Sequence, residues 1–134
     1  MDKLKKENSI NKFSLRARIR SFKGAFSGFS ALLKFEHNAR IHLLILLIVI
    51  AAGIILWITW IEWIAILFAS GLVFVAECFN TAIEYLSDVV SPEYNMNIKT
   101  AKDVAAAGVL ISALISVIIG LIVFLPKIYM LLFS

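Results

Sequence analysis

What the chain lacks excludes several classes of protein. It has one cysteine, Cys78, so neither an intrachain disulfide nor a cysteine-based zinc site can form. It contains no Gly-x-x-x-x-Gly-Lys-Ser/Thr sequence and no kinase glycine-rich loop, so any nucleotide site must be of another kind. No short apolar core followed by a small-residue cleavage pattern occurs near the N-terminus, and a secretory signal is therefore not predicted.

Formal charge is also missing from long stretches of the chain. No Asp, Glu, Lys or Arg occurs in residues 41–61 or 104–125, and hydrophobic residues make up 61% of the sequence. Soluble domains contain roughly 45–50% apolar residues. A helix of about twenty residues crosses a hydrocarbon core of ~30 Å at 1.5 Å per residue. We therefore predict three membrane helices, over residues 41–61, 63–90 and 101–125.

Aromatic and ionisable residues mark the first turn. Trp57, Trp60 and Trp63 cluster around Glu62, and tryptophan favours the membrane–water boundary. The turn between the first two spans is therefore predicted at Glu62. His42, near the start of the first span, is interpreted as an interfacial side chain.

Proline and helix-start patterns mark the other boundaries. Pro92 disfavours helix at the residue before it and opens a polar loop over residues 91–100. Thr100 followed by Asp103 has the pattern of a helix start, with an acid in the first turn. Pro126 is predicted to end the last span.

The N-terminal region has two parts. Residues 1–12 are polar and are predicted to be a flexible tail. In residues 13–36, apolar side chains recur at spacings of four and three beside a basic face, which predicts an amphipathic helix in the membrane interface. The apolar positions are Leu15, Ile19, Phe22, Phe26, Phe29 and Leu33. The chain is thus predicted to be one all-α membrane domain, with this surface helix before three transmembrane helices.

The distribution of basic residues predicts the topology. Residues 1–40 hold ten Lys or Arg, the 91–100 loop holds Lys99, and the turn at Glu62 holds none. Because basic loops stay cytoplasmic, the N-terminus and the 91–100 loop should face the cytoplasm. Three spans then place the C-terminus outside.

Acidic residues lie in the second span, where charge is expensive. Glu77, Glu84 and Asp88 are spaced by seven and four residues and so share one helix face, with Asn80 beside it. If Trp63 marks the outer boundary, Glu77 lies roughly 21 Å deeper, just inside the opposite boundary. Intramembrane carboxylates mark functional sites. The simpler interpretation, that the helix end merely leaves the membrane, stays open for Asp88.

Two motifs resemble those of a known family. The first reads Glu77-Cys78-Phe79-Asn80-Thr81-Ala82-Ile83-Glu84, and the second reads Ala101-Lys102-Asp103 followed by small residues. These two motifs, together with the spacing from Glu36 to Glu77, resemble those of the bacterial membrane-integrated diacylglycerol kinases. The ending over residues 119–128 resembles the Gram-positive branch, whose members are similar to undecaprenol kinases.

The resemblance implies a function and a site. It implies ATP-dependent phosphorylation of a lipid alcohol such as undecaprenol, with Mg²⁺, by a homotrimer with shared active sites. Glu77 matches the catalytic base that contacts the substrate, and Glu36 and Glu84 match metal-binding carboxylates. The matched nucleotide-binding positions are Glu36, Glu84, Glu93, Tyr94, Asn95, Lys102 and Asp103. Asn80 and Asp88 match supporting polar positions.

Other functions remain open from the sequence. Diacylglycerol offers a similar hydroxyl at the same depth as undecaprenol. A small proton-coupled transporter would use an intramembrane acid such as Glu77, but it leaves the acids and Lys102 of the predicted cytoplasmic side unexplained. A non-enzymatic membrane assembly would need small-residue packing without the acidic row. No nucleic-acid partner is predicted.

Overall fold

The protein is all-helical over the part of the chain that the structure, a computed structural model, describes, residues 14–133. Its helices are α1 (Leu15–Phe35), α2 (His37–Ile55), α3 (Trp60–Val90) and α4 (Met96–Phe133). Helices α2, α3 and α4 are each long and apolar enough to cross a membrane. The predicted fold class, a helix followed by three membrane spans, is confirmed. The predicted tail over residues 1–12 lies outside the described residues.

The chain divides into two units, one ending at Ala31 and the other beginning at Leu32. In the first unit, α1 leaves its apolar periodic positions uncovered. Leu15, Ile19 and Phe22 are among the side chains left mostly exposed. An uncovered apolar stripe beside a basic face is typical of a helix in the membrane interface.

The first turn comes earlier than the tryptophan pattern predicts. Helix α2 begins at His37 rather than at residue 41 and ends at Ile55 rather than at residue 61. Trp57 then adopts a left-handed backbone conformation with φ of 49°. The N–H of Ile58 donates to the carbonyl of Gly53 at 3.1 Å and closes the helix end. Tryptophan reports the membrane boundary only to within about a turn, whereas these hydrogen bonds end the helix at a residue.

A capping box starts α3 at Trp60, before the predicted residue 63. The N–H of Thr59 donates to Glu62 Oε2 at 2.6 Å, and the N–H of Glu62 donates to the Thr59 hydroxyl at 3.4 Å. These reciprocal bonds satisfy two helix-end donors. Glu62 is also paired with Lys127 of α4, whose Nζ lies 3.1 Å from Oε2. The predicted turn residue Glu62 is therefore part of the helix.

Helix α4 is longer than predicted at both ends. Asn95 Oδ1 accepts from the N–H of Asn97 at 2.9 Å, so α4 begins at Met96 rather than near Thr100. Asparagine is among the best N-cap residues, and it takes precedence over the later Thr100 pattern. The helix also continues through Pro126 to Phe133. Membrane helices accept proline where neighbouring groups satisfy the freed carbonyl.

The apolar core lies near the turn between α2 and α3. Ile58, Ile66 and Val123 are its buried centre, with Trp63 packed beside them. Gly53 permits this packing, because a Cβ there would lie 2.8 Å from the Trp63 ring. Further along the pair of helices, the Ser116 hydroxyl of α4 donates to the Ala69 carbonyl of α3 at 3.0 Å. This packing joins α3 and α4 at one end and leaves the acidic residues at the other.

Candidate active site

The acidic row of α3 passes from buried to exposed. Helix α3 has 31 residues and is therefore about 46 Å long, more than a bilayer core of ~30 Å. Glu77 is only 2% exposed, Glu84 is half-buried and Asp88 is exposed. The row therefore leads from a desolvated carboxylate towards solvent at the end of α3 away from the tryptophan turn.

Glu77 contacts a histidine of the neighbouring span. Nε2 of His42 on α2 lies 3.3 Å from Oε1 of Glu77. This is a close contact rather than an aligned hydrogen bond, since Oε1 makes no hydrogen bond within the described residues. Asn80 Oδ1 and Thr81 Oγ1, on the same helix face, are likewise buried and unpartnered among those residues. Such atoms cost free energy unless a ligand, water or ion pairs with them.

Two further carboxylates lie near Glu77. Glu36 is the N-cap residue of α2, but its side chain makes no capping hydrogen bond. Instead Glu36 acts electrostatically on Glu77, as does Glu84, and it also acts on the hydroxyl of Tyr85. Asn80 Nδ2 donates to Glu84 Oε1 at 3.0 Å and so fixes that carboxylate. The structure thus brings together three of the predicted site residues from α2 and α3.

The same carboxylates fit a Mg²⁺ ion that also binds substrate phosphates and water, rather than one held by protein ligands alone. Within residues 14–133, no three His, Cys, Asp or Glu side chains are arranged as a preformed metal cluster. Glu36 and Glu84 are nevertheless both close enough to Glu77 to act on it electrostatically. Mg²⁺ usually keeps several waters and binds through one or two carboxylates plus substrate phosphates. Two flanking carboxylates fit such a phosphate-bridged ion and do not form a closed protein cage.

The start of α4 contributes one cation to the acidic row. Lys102 Nζ lies 2.9 Å from Asp88 Oδ1 and links α4 to α3. Lys102 also acts electrostatically on Glu84 and is itself half-buried. A positive charge is thereby held beside the carboxylates in the absence of any glycine-rich phosphate loop.

The other predicted residues of this region make local contacts. Asp103 Oδ2 pairs with Lys99 Nζ at 2.6 Å, one turn away on the same helix. Asn95 caps α4, and the Tyr94 hydroxyl lies 3.6 Å from Met96 Sδ. The carbonyl of Glu93 accepts from the Ser91 hydroxyl at 3.1 Å. Each of these contacts joins near neighbours in sequence at one end of the helix pair.

An apolar cavity of about 210 Å³ lies between the three spans. His42 lines it together with side chains such as Val49 of α2, Ile66 of α3 and Gly120 of α4. Ser70 and Ser116 are the hydroxyl residues of its wall. The cavity thus places an apolar space beside the histidine that contacts Glu77.

Comparison with known proteins decides the family. The profile of the family described as "Prokaryotic diacylglycerol kinase" matches residues 23–124, most of the chain. This chain belongs to that family. The lipid kinase shares 35% identity over 127 residues with the undecaprenol kinase of Bacillus subtilis (strain 168), covering 95% of this chain and 99% of the relative. The predicted resemblance is therefore confirmed, and the transporter and assembly interpretations are set aside.

A second relative belongs to another bacterium. The diacylglycerol kinase of Synechocystis sp. (strain ATCC 27184 / PCC 6803 / Kazusa) is 36% identical over 107 residues. The match covers 79% of the lipid kinase described here and 61% of that relative. The two relatives are thus named for different lipid substrates, undecaprenol and diacylglycerol.

Two residues beside the carboxylates were not predicted to belong to the site. The interpretation of His42 as an interfacial side chain is incomplete, because its imidazole is only 21% exposed and contacts Glu77. Its position as the one ionisable side chain in a charge-free span was the available signal. Tyr85, which lies near Glu36, carries no comparable signal, since a tyrosine near a helix end is ordinary.

Proposed function

We propose that this lipid kinase transfers the γ-phosphate of ATP to the hydroxyl of undecaprenol at the cytoplasmic face of the membrane. The observation that carries the proposal is the buried carboxylate of Glu77, inside a membrane-length helix and in line with carboxylates that approach water. The undecaprenol kinase relative, aligned over nearly its whole length, supports this lipid. Diacylglycerol is the second candidate, supported by the Synechocystis relative.

Glu77 is the proposed general base. Its carboxylate accepts the proton of the lipid hydroxyl as that oxygen attacks the γ-phosphorus. The bond between the γ-phosphorus and the oxygen bridging it to the β-phosphate breaks, and ADP leaves with that oxygen. A carboxylate just inside the membrane meets a lipid hydroxyl at its own depth, which is the position a base requires.

Glu36 and Glu84 are the proposed ligands of Mg²⁺. When bound, the ion neutralises phosphate charge and helps to align the transferred group. Lys102, held beside Glu84 by Asp88, offers a positive charge to phosphate oxygens. Asn80 orients Glu84 through its 3.0 Å hydrogen bond. The further proposed nucleotide-binding residues are Glu93, Tyr94, Asn95 and Asp103.

The proposed orientation places the N-terminus inside and the C-terminus outside. Its support is the excess of basic residues before the first span and the lack of any at the Thr59 turn. A homotrimer with shared sites is proposed from the family resemblance. The local contacts of Tyr94 and Asn95 are consistent with a second chain completing the nucleotide site.

A phosphoryl-transfer assay tests the proposed function. The purified full-length chain is given ATP labelled on the γ-phosphate and either undecaprenol or diacylglycerol in the same detergent, and label in the lipid extract is counted. We expect Mg²⁺-dependent labelling, faster with undecaprenol. Faster labelling of diacylglycerol would favour the second candidate. No labelling of either lipid by a folded preparation would contradict both.

A further inference from the structure

His42 is the ionisable side chain of α2 that reaches the acidic row. The side chains of His42 and Glu77 are 21% and 2% exposed, and their closest atoms, Nε2 and Oε1, are 3.3 Å apart. The contact joins two spans at the depth of the carboxylate. A second histidine, His37, lies five residues earlier on the same helix and is exposed.

His42 differs in chemistry from the other ionisable side chains near Glu77. Among the described residues, ionisable side chains near Glu77 are His42, Glu36 and Glu84. Two of the three are acids, so His42 is the group in this set that can carry a compensating positive charge. Asn80 and Thr81 also turn oxygens inward, but Asn80 Oδ1 and Thr81 Oγ1 have no hydrogen-bond partner among the described residues. An imidazole N–H is the available donor for Oε1.

We infer that His42 is a positioning residue for Glu77, an inference that rests on the proposed role of Glu77 as the base. Nε2–H of His42 holds Oε1, which leaves the second carboxylate oxygen to accept the proton of the lipid hydroxyl. A base oriented by a third group is the usual arrangement of such sites. The 3.3 Å contact is long and poorly aligned, as catalytic hydrogen bonds often are before substrate binds.

The position of His42 on the cavity wall supports the same role. His42 lines the apolar cavity between the spans, and its Nε2 contacts Glu77. A lipid chain in that space brings its hydroxyl end next to the pair. The alternative is that His42 only fills the wall between α2 and α3, in which case its effect on turnover is independent of the Glu77 carboxylate.

A double-mutant cycle separates the two roles. His42→Ala should lower kcat by about 10- to 100-fold, the range for losing a hydrogen bond to a charged group, with little change in KM for MgATP. His42→Gln, which keeps an N–H donor at a similar distance, should recover most of that loss. In a Glu77→Gln background, His42→Ala should lower kcat less than about twofold further, because coupled residues are not additive. His37→Ala is the matched control and should leave kcat unchanged.

Several results would overturn the inference. Equal loss from His42→Ala in both backgrounds, or no recovery by His42→Gln, would assign His42 a packing role. Near-normal turnover of Glu77→Gln alone would contradict both the role of Glu77 as the base and the inference about His42. A slow Glu77→Gln enzyme in which His42→Ala shows no coupling would contradict only the inference.

A measurement that does not depend on turnover is the ¹⁵N spectrum of the two histidines in detergent. Glu77→Gln should shift the His42 ring signals and spare those of His37, and unshifted His42 signals would contradict the contact.

Discussion

The two ends of α3 carry carboxylates in opposite circumstances. At the tryptophan turn, Glu62 accepts from the Thr59 N–H and hydroxyl and pairs with Lys127. At the other end, Glu77 is more deeply buried, yet its Oε1 has one long contact and no hydrogen bond among the described residues. A carboxylate whose partners are all supplied by the chain stabilises a fold. A buried carboxylate left short of partners has capacity for a substrate.

The buried side chains also differ between the two ends of α3, being apolar at the turn and polar at the acidic end. The turn end holds the buried cluster of Ile58, Ile66 and Val123, closed by Gly53 against Trp63. The acidic end holds buried polar side chains instead, Glu77, Asn80 and Thr81. Local stability is therefore expected to concentrate at the turn, while the acidic end retains buried polar atoms without a hydrogen-bond partner among the described residues.

The largest expected difference between the ends is their accessibility. In a Cys78→Ala background, a cysteine at Asn95 should react with an impermeant maleimide only from the cytoplasmic side, and one at Trp60 only from outside. Replacing Cys78 removes the native thiol, which is exposed on the chain surface. Labelling of intact cells and of inverted vesicles gives the two readings. The reverse pattern would place the acidic row outside and contradict the proposed site.

Removing the proposed base should give the largest kinetic effect. Glu77→Gln keeps shape and hydrogen bonding but cannot accept a proton, so kcat should fall by about 10²- to 10⁴-fold with nucleotide affinity nearly intact. Glu62→Gln is the matched control, a carboxylate of the same helix at the end without a site, and should turn over normally. Steady-state rates with saturating lipid measure both. Near-normal turnover of Glu77→Gln would show that the proton leaves by another route.

The sequence predicted the acidic end of the chain better than the turn. Periodicity, charge and the cost of an intramembrane acid predicted the second span to its end at Val90 and singled out Glu77. The helix boundaries were predicted less well, because they depend on local features that the sequence patterns did not reveal. Examples are the Asn95 cap and the continuation of α4 through Pro126.

Contacts between helices could not be predicted from the sequence, for a physical reason. Spacing within one helix shows which residues share a face, and this gave the row from Glu77 to Asp88. It does not give the rotation of one helix against another, which places His42 on Glu77 and Lys102 on Asp88. The roles of the site residues stay predictions.

A smaller kinetic effect is expected from the flanking carboxylates. Glu36→Gln and Glu84→Gln each remove a negative oxygen ligand from a hard cation, so the Mg²⁺ or MgATP concentration for half-maximal rate should rise by roughly tenfold. Titration of each variant with Mg²⁺ at fixed ATP, and with MgATP, measures the shift. Glu77→Gln serves as the contrast, because its loss should be in kcat. Wild-type metal dependence in both flanking variants would refute their assignment.

The smallest effect on the reaction is expected at the turn, where the effect on stability should appear instead. Thr59→Ala removes the hydroxyl of the capping box and should lower the free energy of unfolding in detergent by about 1 kcal/mol. Thr59→Ser keeps the hydroxyl and should restore it. Turnover at a temperature where both variants are folded should match wild type, because the capping box lies at the opposite end of α3 from Glu77. If Thr59→Ala instead raised the MgATP requirement as Glu84→Gln should, the ends of α3 would be coupled. The completed carboxylate site at Glu62 would then influence the reaction at the incomplete one.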